Sequence, residues 1–265
     1  MRIVVKIGTS TLAHSTGRLD IRRVEQLVKV LSDLKNAGHE IALVSSGAIG
    51  MGVGKLMLPG RPADMPTKQA GAAVGQCELM YTYDRLFGAY NHTVAQVLLP
   101  GEDIHSDRRC ENMRNTINRL LELGALPVIN ENDAVATDEI GVENTIGEND
   151  TLSAIVARLI GADLLVLLSD IDGLYTADPR HDASARLIPV VEDITPEIEA
   201  LAGGTGTSLG SGGMVTKLRA AKIITGAGGD MIIANGSNPS GLYDIVEGKP
   251  VGTRFKGRKK HEEHA

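Results

Sequence analysis

Two periodicities alternate along this chain. Residues 2 to 7, RIVVKI, form a short apolar run that closes on Lys-Ile-Gly, and residues 40 to 44, EIALV, form another that closes on Ser-Ser-Gly. Both have the length and branched apolar content of buried strands that end in polar turns. Between them Ile21, Val24, Leu27, Val28, Leu31 and Leu34 recur at the spacing of one helix face, with Asp20 at the N-cap and Gly38 just past the end. Strand, helix and strand make a βαβ unit, and the alternation continues. Helical spacing returns over about 67 to 88, strand character over 93 to 99, a helix over 111 to 123 and a strand over 126 to 130. After a polar stretch from 134 to 148 come a helix over 150 to 161, the strand Leu164 to Leu168, a glycine-rich segment opening a helix over 213 to 226, and strands near 231 to 234 and 252 to 255. This order predicts an α/β fold with a mostly parallel sheet covered by helices on both faces.

Composition sharpens that picture. With 265 residues, 42% of them apolar, the chain can bury a full core. No Trp and only two Phe leave Val, Ile, Leu and Ala to build it, as in buried parallel sheets. A net charge of -6, without a basic stripe, argues against nucleic acid and favours a small-molecule partner. No apolar run is long enough to span a bilayer, and the apolar N-terminus is interrupted by Lys6, so no membrane role and a cytoplasmic location are expected. Cys77 and Cys110 stand far apart and read as reduced, incidental thiols. The seven histidines show no metal-ligand or triad spacing, and Asp107-Arg108-Arg109 reads as a solvated loop.

Candidate chemistry collects where strands end. Lys6 breaks an apolar strand just before Gly8, where an ammonium either pairs with an anion such as phosphate or snorkels from the strand end. Ser45-Ser46-Gly47-Ala48 puts small residues at a strand-to-helix junction whose N–H groups can face an anion, although glycine can equally serve a tight turn there. The following Gly50-Met51-Gly52-Val53-Gly54-Lys55 fits neither the dinucleotide nor the Walker template. Gly210 to Lys217 again runs glycines into a helix, with Lys217 about one turn inside, so that backbone donors, helix dipole and lysine converge; a loop with a solvated lysine is the plainer alternative. Asn130-Glu131-Asn132-Asp133 and Glu148-Asn149-Asp150 sit at strand and helix ends, where they can cap turns or grip a ligand's ammonium and carboxylate. Ser169-Asp170 ends the strongest apolar run, at the sheet edge where open α/β folds bind ligands, and Asp172 to Tyr175 reads as a turn.

Taken in order, VVKIGTS, LVSSGAIGMG, PVINENDAVAT, GENDTLSAIVA, LLSDIDGLYTADPR and GSGGMVTKLRAA resemble the motif series of the glutamate 5-kinases in the amino acid kinase family. The resemblance covers nearly the whole chain and implies a three-layer α/β/α sandwich around a mostly parallel sheet of about eight strands. It implies transfer of the ATP γ-phosphate, with Mg2+, to the side chain of glutamate, the first step of proline biosynthesis, by a cytoplasmic homo-oligomer subject to proline inhibition. Along the amino acid kinase domain expected over residues 1–256, the polar clusters mark a glutamate-binding portion near 1–162 and the glycine-rich loops a nucleotide-binding portion near 163–256, a division more functional than physical, and the charge bias of 257–265 reads as a mobile tail. By position, Lys6, Ser169, Asp170, Ser211, Gly212, Gly213, Met214, Val215, Thr216 and Lys217 match nucleotide-binding residues, whereas Ser46, Asp133 and Asn149 match glutamate-binding ones. Lys6 and Lys217 match lysines that stabilise the moving phosphoryl group, Asp150 the aspartate that orients them, and Gly8, Gly47 and Ala48 small residues beside the phosphates. Departures are Ser169 and Ser211 where Thr is frequent, Glu148 where Asp is frequent, a slightly long segment between Asp133 and Asn149, and an end short of the C-terminal RNA-binding-like domain that many relatives carry. Related acceptors are aspartate, N-acetylglutamate, carbamate and nucleoside monophosphates; a silent amino acid sensor is a reading of another class. Asp133 and Glu131 suit a free α-ammonium, which favours glutamate over N-acetylglutamate.

Overall fold

The computed structural model describes residues 1–14, 18–99, 106–135, 149–202 and 213–258. Its centre is an eight-stranded sheet in the order β3-β4-β2-β1-β5-β7-β8-β6. These strands are β1 (Arg2–Ile7), β2 (Glu40–Ser45), β3 (Val94–Leu99), β4 (Leu126–Glu131), β5 (Leu164–Ser169), β6 (Val190–Val191), β7 (Asp230–Asn235) and β8 (Thr253–Phe255). Pairing is parallel from β3 to β7, and β8 turns antiparallel against β7. The α/β expectation holds, and because the parallel strands share one direction, β1, β2, β4 and β5 end on one edge of the sheet.

Side-chain alternation sorts the helices. Along β1, Ile3, Val5 and Ile7 enter a core shared with α2 (Ile21–Asn36) and α4 (Met65–Gly88), while Val4 enters the opposite core with α5 (Asp107–Glu122), α6 (Asn149–Leu159) and α8 (Met214–Gly226). Each fully buried Leu or Val contributes on the order of 1.5–3 kcal/mol, so both faces drive folding. Lys6 shares its face with Val4, which directs it toward α6 and α8. That parity decides where the site forms.

Helix ends follow local chemistry. Asp20 accepts a hydrogen bond from the Arg23 N–H at 3.1 Å and caps α2 as expected, but Ile21 is 61% exposed and lies off the apolar face. The Ser106 hydroxyl caps α5, so Asp107, Arg108 and Arg109 form its first turn instead of the expected loop. Asp107 favours that start by facing the helix N-terminus. Short elements also appear that apolar spacing does not announce: α1 (Thr9–Leu12), α3 (Ala48–Lys55), α7 (Pro196–Ala202), α9 (Gly241–Val246) and β6.

The glycines of α3 find their use in packing. A Cβ at Gly52 would overlap the Gly71 carbonyl of α4, and one at Gly75 would overlap the Ala48 carbonyl of α3. The two helices cross backbone to backbone, which only glycine permits. This crossing fixes Ala48 against the part of α4 that carries Gln76. At the other end of the chain, Gly257 donates to Asp230 Oδ1 at 2.8 Å and Arg258 to the Thr225 carbonyl at 3.0 Å. The expected mobile tail therefore does not begin at 257; residues 259–265 lie outside the described ones.

Candidate active site

Three helix-start junctions and two strand ends meet at the common sheet edge. Lys6 comes from the end of β1, Asp150 from the first turn of α6 and Lys217 from the first turn of α8. Asp150 Oδ1 lies 2.6 Å from Lys6 Nζ, and its Oδ2 lies 3.0 Å from Lys217 Nζ. All three are largely shielded, with Asp150 at 1% and Lys217 at 4% exposure. The Thr216 hydroxyl sits between the Gly213 carbonyl at 2.8 Å and Asp150 Oδ2 at 3.3 Å. Burial opposes ionisation of Asp150, yet the two ammonium groups outweigh it and hold its carboxyl below the usual range. One carboxylate against two ammonium groups gives the trio a net positive charge, a setting matched to an anion with several oxygens.

Backbone donors surround this trio. Gly8 caps α1, Gly47 caps α3 and Gly213 caps α8, none with a side-chain acceptor. First-turn N–H groups at such ends are suited to phosphate. Gly47 has φ 109, a left-handed conformation that turns the chain from β2 into α3 and that a β-carbon would strain. Ala48 is buried behind it. On the far side of β1, Ser169 ends β5 and its hydroxyl donates to Asp170 Oδ1 at 3.1 Å, with Asp170 exposed beyond it. Met214 is half-buried and Val215 is half exposed. Ser211 and Gly212, like Glu148, lie outside the described residues.

A chain of amides runs from the trio into a cavity. The Asn149 amide, one residue before Asp150, donates to Ser46 Oγ at 2.6 Å and lies 3.2 Å from Asn130 Oδ1. Asn130 Oδ1 also accepts from the Glu131 N–H at 2.9 Å, and Asn130 Nδ2 donates to Gln76 Oε1 at 2.9 Å. Beyond them a cavity of about 320 Å³ is lined by Ala48, Gln76, Gln96, Glu131, Asn132 and Asp133, with apolar patches from Met80 and Leu98. Burial, then the neighbouring Asp133 charge, pushes the Glu131 carboxyl up to about 7. Burial also raises Asp133, and the positive charge of Arg61 partly offsets it. Both carboxyls are thus driven toward the neutral form.

The structure thus brings Lys6, Lys217 and Asp150 into contact and joins Ser46 to Asn149, while Asp133 lines the adjoining cavity. Gln76 and Arg61 were not visible as site residues. Gln76 is one amide directly after the small-residue stretch Ala70 to Gly75, and Arg61 sits in a Gly-Arg-Pro loop that reads only as a turn. Among the described residues no group of three or more His, Cys, Asp or Glu could hold a metal ion, and no helix is long and apolar enough to cross a membrane.

Comparison with known proteins decides the family. The model of the amino acid kinase family matches residues 1–235. The chain belongs to the amino acid kinase family. A glutamate 5-kinase of Clostridium perfringens (strain 13 / Type A) is 53% identical over 258 residues, covering 97% of this chain and 96% of that protein. A glutamate 5-kinase of Listeria innocua is 50% identical over 263 residues, covering 99% and 95%. Among solved structures, carbamate kinase from Giardia lamblia bound to AMP-PNP superposes with a TM-score of 0.67 at 19% identity, covering 97% of this chain and 98% of that one. An isopentenyl phosphate kinase gives 0.67 at 20%, covering 97% and 100%. At such identity these structures support the three-layer fold and nothing finer.

Proposed function

We propose that this chain transfers the γ-phosphoryl group of ATP to the side-chain carboxylate of free L-glutamate, giving glutamyl 5-phosphate and ADP, the step that opens proline biosynthesis. The observation that carries this reading is the buried Lys6–Asp150–Lys217 trio at the sheet edge, joined through Asn149 to an acidic cavity. Full-length relatives at half identity, named glutamate 5-kinases, supply the acceptor.

The chemistry asks for positioning and charge stabilisation. A γ-carboxylate oxygen of glutamate forms a bond to the γ-phosphorus as the bond to the β,γ-bridging oxygen breaks, and the electron pair leaves with ADP. With a reference pKa of about 4.3 the nucleophile is already ionised, so no general base is needed. Lys6 and Lys217 face the transferring oxygens, and Asp150 holds both ammonium groups at the spacing where that charge develops, in a site sheltered from water. Gly8, Gly47, Ala48 and residues 213–216 bring backbone N–H groups near the phosphates, and Ser169 and Asp170 border the nucleotide with Ser211 and Gly212. Ser46 and Asn149 orient the acceptor carboxylate, while Asp133 with Glu131 receives the ammonium. On this reading residues near 1–162 mainly serve glutamate and those near 163–256 mainly the nucleotide, with Lys6, Gly8 and Asp150 of the first portion reaching the phosphates. Magnesium enters this reading as a companion of the ATP phosphates; when bound it would neutralise phosphate charge. The same reading carries a cytoplasmic homo-oligomer and proline as inhibitor, to be checked by gel filtration and a proline titration.

The test is ADP release with ATP, magnesium and glutamate, trapping the acyl phosphate as hydroxamate, beside aspartate, N-acetylglutamate and carbamate. Hydroxamate from glutamate supports the reading. Turnover with another acceptor alone keeps the kinase and overturns the acceptor, and ligand binding without ADP release indicates a sensor.

A further inference from the structure

The polarity of the amide chain is fixed by one backbone group. The Glu131 N–H can only donate, so the Asn130 atom that receives it at 2.9 Å is the oxygen. Asn130 must then present its nitrogen to Gln76, and Gln76 must answer with Oε1, at 2.9 Å. This leaves Gln76 Nε2 turned away from the chain. Among the described residues that atom is buried and has no hydrogen-bond partner, in a residue only 8% exposed that lines the cavity. At the chain's other end Asn149 Oδ1 is likewise buried and unpartnered. A buried amide donor left unmet costs on the order of 1–3 kcal/mol, so an acceptor on a ligand in this cavity would be favoured at that atom.

We infer that Gln76 is a further substrate-binding and specificity-determining residue, whose Nε2 donates to the α-carboxylate of the amino acid. The inference rests on the proposed reaction. On that reading Ser46 and Asn149 hold the reacting carboxylate, and Glu131 and Asp133 on the same cavity wall suit the α-ammonium. The α-carboxylate, bonded to the same carbon as that ammonium, must therefore find a donor within this cavity. Among the described residues Gln76 is the lining amide whose donor is both buried and unmet. The Gly75–Ala48 backbone crossing beside it fixes where α4 carries Gln76 relative to α3.

The test separates this role from mere support of Asn130. Gln76→Glu retains an acceptor for Asn130 Nδ2 but replaces the donor with a negative charge; Gln76→Ala removes both, and Gln76→Met keeps volume without either. Melting temperature confirms folding of each, and KM and kcat are read for glutamate and ATP. A hydrogen bond to a charged group corresponds to about ten- to a hundredfold in affinity. The expected result is a rise in glutamate KM of that size for Gln76→Ala and Gln76→Met, a larger rise for Gln76→Glu, and ATP KM unchanged within about twofold. Glutamate KM near wild type in Gln76→Glu, with loss confined to the other two, would show that Gln76 only supports Asn130 and overturn the inference. So would an unchanged glutamate KM in any of the folded variants. If wild type uses aspartate instead, the acceptor reading fails separately. The same variants are then read on aspartate, which carries the same α-carboxylate.

Discussion

Two acidic centres share one edge of the sheet and behave oppositely. Asp150 is clamped between Lys6 and Lys217, and its carboxyl is held ionised despite burial. Glu131 and Asp133 face an open cavity, and burial pushes both toward the neutral form. The first centre is complete before substrate binds and can act on charge as it develops. The second holds two carboxyls whose ionised forms a cation in the cavity would favour. On the proposed reading the contrast divides the work: the paired carboxylate orients the lysines, and Glu131 with Asp133 recognises the ammonium.

The largest effects should come from breaking the satisfied centre. Lys217→Ala removes one of two donors aimed at the transferring oxygens, and kcat is expected to fall by about 10²–10³, by analogy with loss of a single oxyanion donor. Glutamate affinity, measured by calorimetry without ATP, should change little if the two centres are as separate as the comparison holds. Asp150→Ala leaves two shielded ammonium groups facing each other. Loss of a partner in such a buried pair costs about 3–5 kcal/mol, so this variant should lose stability as well as turnover. A fall in kcat with unaltered denaturant midpoint would show that the trio is softer than its geometry indicates.

A smaller effect is expected where the two centres are joined through packing. Gly75→Ala drives a methyl group into the Ala48 carbonyl, forcing α3 away from α4. Overpacking of this kind costs about 1–3 kcal/mol. Because Ala48 lines the cavity while α3 begins at the Gly47 turn, glutamate KM should rise more than ATP KM. Equal changes in both would indicate that the helix crossing serves the whole edge and not the acidic cavity in particular.

What was legible in sequence follows the same division. The βαβ order could be read because each parallel strand is an apolar run bounded by polar turns, as in Leu164 to Ser169. Lys6 was conspicuous as a charge inside such a run, and Lys217 as a lysine one turn into a glycine-started helix. Their meeting on Asp150 needed tertiary structure, although the parity of Lys6 with Val4 already chose the face. The helix α3 was harder: its glycines resembled a failed nucleotide loop, and their purpose lies in a backbone contact with α4 that no local pattern encodes. Gln76 carried no signal, since its role depends on a hydrogen-bond direction set by Glu131, distant in sequence. The start of α5 was missed because Asp107-Arg108-Arg109 reads as solvated in either state, and only the Ser106 cap commits it to helix.

The smallest effect expected is a proton, and it bears directly on the second centre. The Glu131 carboxyl is raised from 4.5 to about 7, so between those values the folded protein binds more proton than the unfolded chain. The stabilising contribution is thus fully present below the unfolded value and is lost as pH rises through about 7. The group is partly exposed, so screening should leave about 1 kcal/mol, read as the difference in unfolding free energy between wild type and Glu131→Gln across that window. Arrival of the glutamate ammonium favours the ionised form, so binding near pH 6 to 7 should release up to one proton. Calorimetry in two buffers of different ionisation enthalpy measures that release, and Glu131→Gln should abolish it. Proton-neutral binding by wild type would mean that the ammonium pairs elsewhere, and Asp133 alone would then carry the recognition assigned to the pair.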